Sequence, residues 1–247
     1  MLRFGLIGRN LAHSFSASYF NDRFGREGIH ARYENVELPA ITDFMPWLQR
    51  QSGFVGFNVT VPYKQSIMPY IDEIDQEARE VGAVNTICCT ANGLHGYNTD
   101  VYGFRESIKP FLRHGQERAL ILGTGGAASA VAHVLRGIGL DVTFVSREPQ
   151  GEKQFGYNQL NEFVMKHFLL IVNATPIGTY PNVEQKPPLP YASLGAMHTL
   201  YDLVYNPEET AFLREGKARG ALTINGADML RLQAERSWEL WMRHHEG

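Results

Sequence analysis

The sequence predicts an α/β protein, and two observations carry that expectation. Over the first hundred residues, short apolar or alternating runs take turns with stretches of helical spacing, which predicts helices laid on a sheet. Further on, Ala119-Leu120-Ile121-Leu122 is followed at once by Gly123-Thr124-Gly125-Gly126-Ala127 and an alanine-rich helical stretch. A strand, a glycine-rich turn and a helix in that order make a dinucleotide site. The glycines let the backbone approach a pyrophosphate, and the helix start offers it unpaired NH groups.

In chain order, Phe4 to Ile7 reads as a short buried strand, residues 8–16 as a loop, and Ala17 to Glu27 as a helix. Residues 31–38 alternate like a second strand, and Ile41, Phe44, Trp47 and Leu48 fall at helical spacing. Val55, Phe57, Val59 and Val61 alternate with Gly56, Asn58 and Thr60, so a strand here buries one row and turns a polar row the other way. Pro62, which cannot donate to a ladder, ends that strand and delivers Lys64 beside the next short helix. Residues 66–82 suggest two short helices. Asn92-Gly93 between strand-like runs predicts a hairpin that brings Asn85 near Asn98, Thr99 and Asp100. A helix over about Thr99 to Arg113 follows.

In the second half, Val142 to Val145 ends in Ser146-Arg147-Glu148. An acid at the end of this strand holds the ribose hydroxyls of an unphosphorylated cofactor, whereas an arginine suits a 2′-phosphate. Arg147 therefore points to NADP, with the Glu148 carboxylate as an opposing charge. Leu169 to Val172 is a further buried strand ending in Asn173-Ala174-Thr175-Pro176, a loop fit to line the cofactor. Leu200 to Val204 ends in Tyr205-Asn206-Pro207, and Leu222 to Ile224 precedes Asn225-Gly226. The closing helix, about 227–245, has Met229, Leu232, Trp238 and Trp241 as buried candidates, with Gln233 on a different face.

With 247 residues the chain can form one large domain or two small ones. A net charge of -3 without a lysine or arginine run disfavours a nucleic-acid partner. Cys88 and Cys89 are adjacent, a spacing that rarely supports a disulfide and offers no metal-ligand pattern, so a reducing, cytoplasmic compartment is expected. The N-terminus lacks a signal-peptide core, and no apolar run approaches the ~18 residues of a membrane span.

Several polar residues have a plain structural reading beside a functional one. Ser14 and Ser16, flanking Phe15, can cap a helix or present hydroxyls to an anion such as a carboxylate. His13 reads as a loop-packing residue, Asp100 as a helix cap, Gln233 as an exposed helix residue and Lys64 as a solvated lysine. Their order along the chain shifts the weight to function. His13-Ser14-Phe15-Ser16, Asn58-Val59-Thr60-Val61-Pro62-Tyr63-Lys64, Gly82-Ala83-Val84-Asn85-Thr86 and Asn98-Thr99-Asp100 are followed by Gly123-Thr124-Gly125-Gly126-Ala127, Asn173-Ala174-Thr175-Pro176, Asp202 to Pro207 and Gly226 to Gln233. Together they resemble the shikimate dehydrogenase family essentially from end to end.

The resemblance implies an N-terminal α/β substrate domain and a Rossmann-like dinucleotide-binding domain with a cleft between them. It divides the chain into 1–103 and 104–226, with the last helix, 227–247, returning to the first domain. It implies NADP-linked, reversible reduction of 3-dehydroshikimate to shikimate in aromatic amino-acid biosynthesis. Ser14 and Ser16 would hold the substrate carboxylate, Asn58, Thr60, Asn85, Asp100 and Gln233 would read the ring hydroxyls, and Tyr205 would close over the site. Lys64 and Asp100 would be the catalytic pair. Gly123, Gly125, Gly126, Ala127, Ser146, Arg147, Asn173, Thr175, Leu203 and Gly226 would bind the cofactor. Two departures stand out: Ser16-Ala17-Ser18-Tyr19-Phe20-Asn21 lacks the family's proline and histidine, and Ser146-Arg147-Glu148 replaces its usual Asn-Arg-Thr. The alternatives are an NAD-linked quinate or shikimate dehydrogenase and a non-catalytic nucleotide-binding module; a monomer and a homodimer are both compatible with the sequence.

Overall fold

The computed structural model describes residues 1–11 and 14–246 of the chain; His13 lies outside the described residues. Its contacts divide it into two compact units, Met1–Thr99 with Ala234–Gly247, and Asp100–Gln233. The fold class is the α/β class expected from the sequence.

In the first unit the chain runs β1 (Leu2–Gly8), α1 (Phe15–Glu27), β2 (Ala31–Glu37), α2 (Phe44–Leu48), β3 (Phe54–Val59), β4 (Glu73–Ile74), α3 (Gln76–Val81), β5 (Thr86–Thr90) and β6 (Gly93–Tyr97). The strand order is β2-β1-β3-β5-β6-β4. β2, β1 and β3 are parallel, while β5 is antiparallel to both β3 and β6. The Asn92-Gly93 hairpin forms as expected. β4 is two residues long, too short to leave an alternating pattern in the sequence.

Two expectations for this unit need correction. The strand carrying Asn58 stops at Val59, three residues before Pro62. Tyr63 N donates to Thr60 O, closing a turn over residues 60–63 in which Pro62 is the third residue. The helix expected from the spacing of Ile41, Phe44, Trp47 and Leu48 breaks into one 3-10 turn, Ile41–Asp43, and the short α2.

The polar row of β3 is also buried. Phe57 and Val59 pack with Ile7, Phe44 and Ile87 on one face. The other face meets α8 (Ala227–Glu246), whose C-terminal part belongs to this unit. Trp241, fully buried, fits there because Gly56 has no side chain: a Cβ on Gly56 would overlap the indole nitrogen, which donates instead to Ile87 O at 2.9 Å. Around Trp241, Phe4, Phe20, Phe24 and Leu240 complete an aromatic-rich core.

The second unit runs α4 (Thr99–Ile108), β7 (Arg118–Leu122), α5 (Gly126–Gly137), β8 (Asp141–Ser146), β9 (Gln154–Gly156), α6 (Glu162–His167), β10 (Leu170–Asn173), β11 (Thr199–Asp202), α7 (Ala211–Ala218) and β12 (Leu222–Ile224), then the start of α8. All its strand pairs are parallel, in the order β12-β11-β10-β7-β8-β9. The chain direction across the sheet reverses between β7 and β10, the place where doubly wound sheets bind ligands. α4 stops at Ile108 rather than Arg113 because Pro110 follows, and residues 109–111 form a 3-10 turn. β9, α6 and α7 carry no expectation from the sequence reading. Thr210, which caps α7, and the buried Phe212 and Leu213 inside it were the legible signals for the last of these.

In α8, Gln233 lies on the buried stripe with Met229, Ser237 and Trp241, while Leu232 and Trp238 are only half-buried. The face assigned to Gln233 from the sequence is thus reversed. Packing of α8 on α4 explains it: a Cβ on Gly103 would meet Gln233 Cβ at 3.0 Å and Met229 O at 2.6 Å, so the two helix backbones approach closely at Gln233.

Gly56→Ala should lower the free energy of unfolding by about 3 kcal/mol, the upper range for overpacking a filled core. Chemical denaturation followed by tryptophan fluorescence measures this, and unchanged stability would show that Trp241 does not depend on the missing side chain.

Candidate active site

Topology gathers the polar residues of the first unit at one edge of its sheet. The parallel strands β1 and β3 end there, and β5, antiparallel to β3 with Asn58 opposite Thr86, begins there. β6 ends at the same edge, with Tyr97 opposite Thr86. Ser14 follows β1, Thr60 and Lys64 follow β3, Asn85 precedes β5, and Asn98 and Thr99 follow β6. The sheet therefore brings together Ser14, Ser16, Asn58, Thr60, Lys64 and Asn85 from three chain segments.

Ser14 is the N-cap residue of α1, yet its side chain makes no capping bond. Its Oγ is buried and, among the described residues, is the one buried side-chain polar atom without a hydrogen-bond partner. A hydroxyl in that state carries a desolvation cost unless a ligand completes it. Ser16, in the first turn of α1, is also buried. α1 begins at Phe15, two residues earlier than expected, so Ser16 belongs to the helix rather than the loop.

Asn58 is 4% exposed and held from several sides. Tyr33 Oη lies 2.9 Å from its Oδ1, and its Nδ2 faces Ser237 Oγ at 2.9 Å, Thr86 Oγ1 at 3.2 Å and Asn85 O at 3.3 Å. Thr86, Thr99 and Ser237 share hydrogen bonds of 2.8–3.1 Å among their hydroxyls. Asn85 Oδ1 accepts from the Thr99 backbone N–H at 2.7 Å, which forces the amide orientation and turns Nδ2 the other way. Tyr33, Thr86 and Ser237 are members of this network that sequence reasoning missed. They sit in ordinary strand and helix patterns and signal themselves only by being polar at buried positions.

The turn that carries Lys64 is fixed by its neighbour and its own backbone. Tyr63 is buried, donates from Oη to Leu38 O at 2.6 Å and accepts from Arg9 Nε at 2.7 Å. Lys64 O accepts from Val84 N at 2.7 Å, and its side chain is half-buried. Asp100, buried in the first turn of α4, follows directly on Thr99 and opens the second unit. Cys88 and Cys89 are free thiols pushed up to about 12 by burial, which keeps both protonated and non-nucleophilic at neutral pH.

In the second unit the glycine-rich turn has the form a dinucleotide requires. Gly123 sits at φ +103°, a conformation open to glycine, and a Cβ there would press on Thr175 and Ala174. A Cβ on Gly125 would meet nothing within 4 Å, so the backbone faces open space at the start of α5. That helix has no side-chain cap and no acid in its first turn, leaving the NH groups near Gly126 and Ala127 to an anion. At the end of β8, the Ser146 hydroxyl closes a turn with the backbone of Glu148, and Arg147 is exposed. Tyr157 lies in electrostatic reach of that guanidinium: burial raises its phenol pKa and Arg147 opposes the rise. These residues fit a phosphorylated dinucleotide.

The loops after β10 and β11 are locked to each other. Fully buried Asn173 donates to Asp202 Oδ1 at 2.9 Å and accepts from Thr175 N and Oγ1 at 3.1 and 2.6 Å. Asp202 also accepts from Val204 N at 3.0 Å and Thr210 Oγ1 at 2.6 Å. Leu203 N donates to Asn173 O, and a Cβ on Gly226 would overlap the Leu203 backbone, so Leu203 and Gly226 touch main chain to main chain. Tyr205 follows in the same loop and is half-buried. Gln233 Nε2 donates to Leu230 O at 2.9 Å. Among the described residues no group of three or more His, Cys, Asp or Glu could hold a metal ion, and no helix is long and apolar enough to cross a membrane.

Residues 6–87 match the family model for the shikimate dehydrogenase substrate binding domain. A shikimate dehydrogenase (NADP(+)) of Methanococcus aeolicus is 35% identical over 253 residues, covering 96% of this chain and 90% of its own. Shikimate 5-dehydrogenase from Thermus thermophilus, solved in complex with NADP(H) and shikimate, is 33% identical with a TM-score of 0.84, covering 98% of this chain and 93% of that one. Quinate dehydrogenase from Corynebacterium glutamicum, solved in complex with NAD, has the same TM-score at 27% identity and covers 97% of this chain and 93% of its own.

Burial pushes the Asp202 carboxyl from about 3.8 up to about 6, against hydrogen bonds from Thr210, Val204 and Asn173 that pull it down. The fold therefore favours the protonated acid. The stabilisation is complete below about pH 4 and is lost as pH rises through about 6. The loss is roughly 3 kcal/mol for a shift of this size. Asp202→Asn should remove that part of the pH dependence. Urea denaturation of both proteins at pH 4 and pH 7 checks it, and identical pH profiles would refute it.

Proposed function

The chain belongs to the shikimate dehydrogenase family, and from that premise we propose that it catalyses the reversible, NADP-linked reduction of 3-dehydroshikimate to shikimate. One observation carries the substrate half of this reading: the buried, unpartnered Ser14 hydroxyl at the sheet edge where Asn58, Thr60 and Asn85 converge. A carboxylate supplies the acceptor that Ser14 lacks, and a polyhydroxylated ring supplies partners for the amides and the Thr60 hydroxyl.

Ser14 and Ser16 hold the carboxylate, and Asn58, Thr60, Asn85 and Gln233 read the ring hydroxyls, with Tyr205 closing over the substrate. Gly123, Gly125, Gly126 and Ala127 cradle the pyrophosphate, Ser146 and Arg147 meet the 2′-phosphate, and Asn173, Thr175, Leu203 and Gly226 line the rest of the cofactor. NADP, when bound, supplies the nicotinamide that accepts or returns the hydride. Lys64 takes the hydroxyl proton as the alcohol is oxidised and gives it back in the reduction. Asp100, the second member of the pair, accepts a hydrogen bond from a ring hydroxyl. Substrate binding belongs to an N-terminal domain and cofactor binding to the Rossmann-like one. The enzyme acts in the cytoplasm on a small molecule, as a monomer or homodimer, with no nucleic-acid partner.

Initial rates with shikimate and quinate, each with NADP+ and NAD+, test the reading. Shikimate with NADP+ should be the fastest pair, and a preference for quinate with NAD+ would replace it by the quinate dehydrogenase reading. Lys64→Ala should depress kcat by about 10²-fold or more with a much smaller change in KM. Near-normal turnover would remove Lys64 from the chemistry. Arg147→Ala should raise the KM for NADP+ by about tenfold, the scale of one charged hydrogen bond, while leaving NAD+ nearly unchanged. Equal effects on both cofactors would show that the phosphate lies elsewhere.

A further inference from the structure

Proton counting around Asn58 gives its network a direction. Asn58 Nδ2 lies 3.3 Å from Asn85 O, a carbonyl that can only accept, so Oδ1 is the end turned to Tyr33. Tyr33 Oη must then donate its single proton to Oδ1. Burial raises the phenol pKa far above its ordinary range, and Tyr33 keeps the proton under all working conditions.

The ring is held rigidly while it does this. It stacks on Phe20 at 4.8 Å with the planes 13° apart. The Asn21 side chain clamps the Tyr33 backbone on both sides, accepting from its N–H at 2.9 Å and donating to its carbonyl at 2.8 Å. Phe20 and Asn21 lie on α1, the helix that carries Ser16. The helix that carries Ser16 therefore fixes Tyr33, and Tyr33 sets the amide of Asn58.

We propose that Tyr33 is a positioning residue for substrate, which fixes the sense of the Asn58 amide. The inference rests on the reading of Asn58 as a substrate contact. Removing the phenol hydroxyl leaves Asn58 Oδ1 without its donor in a buried setting, and the amide loses its fixed sense.

Tyr33→Phe keeps the stacked ring and should raise the KM for shikimate about tenfold, with kcat within about threefold and the KM for NADP+ unchanged. Combined with Asn58→Ala, its effect on KM should fall clearly below the product of the single effects, because Tyr33 acts on substrate through that amide. Asn21→Ala, which loosens the clamp and spares the hydroxyl, should give a smaller rise of the same kind and serves if Tyr33→Phe does not fold. A raised KM in Asn58→Ala with none in the Tyr33 and Asn21 variants overturns the proposal and leaves the substrate site standing. Effects that multiply, or that fall equally on kcat and both KM values, overturn it by making Tyr33 only structural. An unchanged KM in Asn58→Ala itself would refute the underlying assignment of that contact.

Discussion

A primary amide buried beneath the sheet edge organises the first unit. Asn58 has two protons and two lone-pair directions to satisfy, and away from water each unmet one is costly. The partners come from far along the chain: Tyr33 on β2, Asn85 and Thr86 at the start of β5, and Ser237 on the last helix. Ser237 can reach Asn58 because Trp241, one turn further on the same helix face, seats itself over Gly56 and bonds to Ile87 O. A missing side chain at one strand position thus lets an indole in, and the indole brings a hydroxyl to the amide two residues along the strand.

The second unit meets a similar demand in its own way. Asn173 and Asp202, both fully buried, share a hydrogen bond between the ends of adjacent strands, and Thr175, Val204 and Thr210 fill their remaining sites. The loops after β10 and β11 therefore rest on satisfied polar groups rather than on apolar packing. Such a floor holds backbone atoms at fixed positions, which suits a ligand recognised largely through main-chain NH groups.

Much of this was legible in the amino-acid order. The glycine-rich turn announces itself because only glycine serves at Gly123 and the neighbouring helix start stays uncapped, and the Asn92-Gly93 hairpin does so through its turn chemistry. The residues read as site candidates in the first unit do meet at one sheet edge, since β5 and β6 return to where β1 and β3 end. Harder to see were Tyr33 and Ser237, whose importance comes from partners 25 and 179 positions away. Gln233 was placed on the wrong face because the close approach of helix backbones at Gly103 leaves no periodic trace. Strand ends misled too, as Pro62 marks the turn from Thr60 to Tyr63 but not the residue at which the strand stops.

The last helix also bears on how the polypeptide is made. The first unit takes its final fourteen residues, Ala234–Gly247, from the far end of the chain. Its sheet emerges early from the ribosome, but the indole and hydroxyl that cover the Gly56–Asn58 face are synthesised only after the whole of Asp100–Gln233. Until Trp241 has been added, that surface has only water or a chaperone to cover it. A stop codon between β12 and Trp241 would therefore injure the portion of the protein synthesised first.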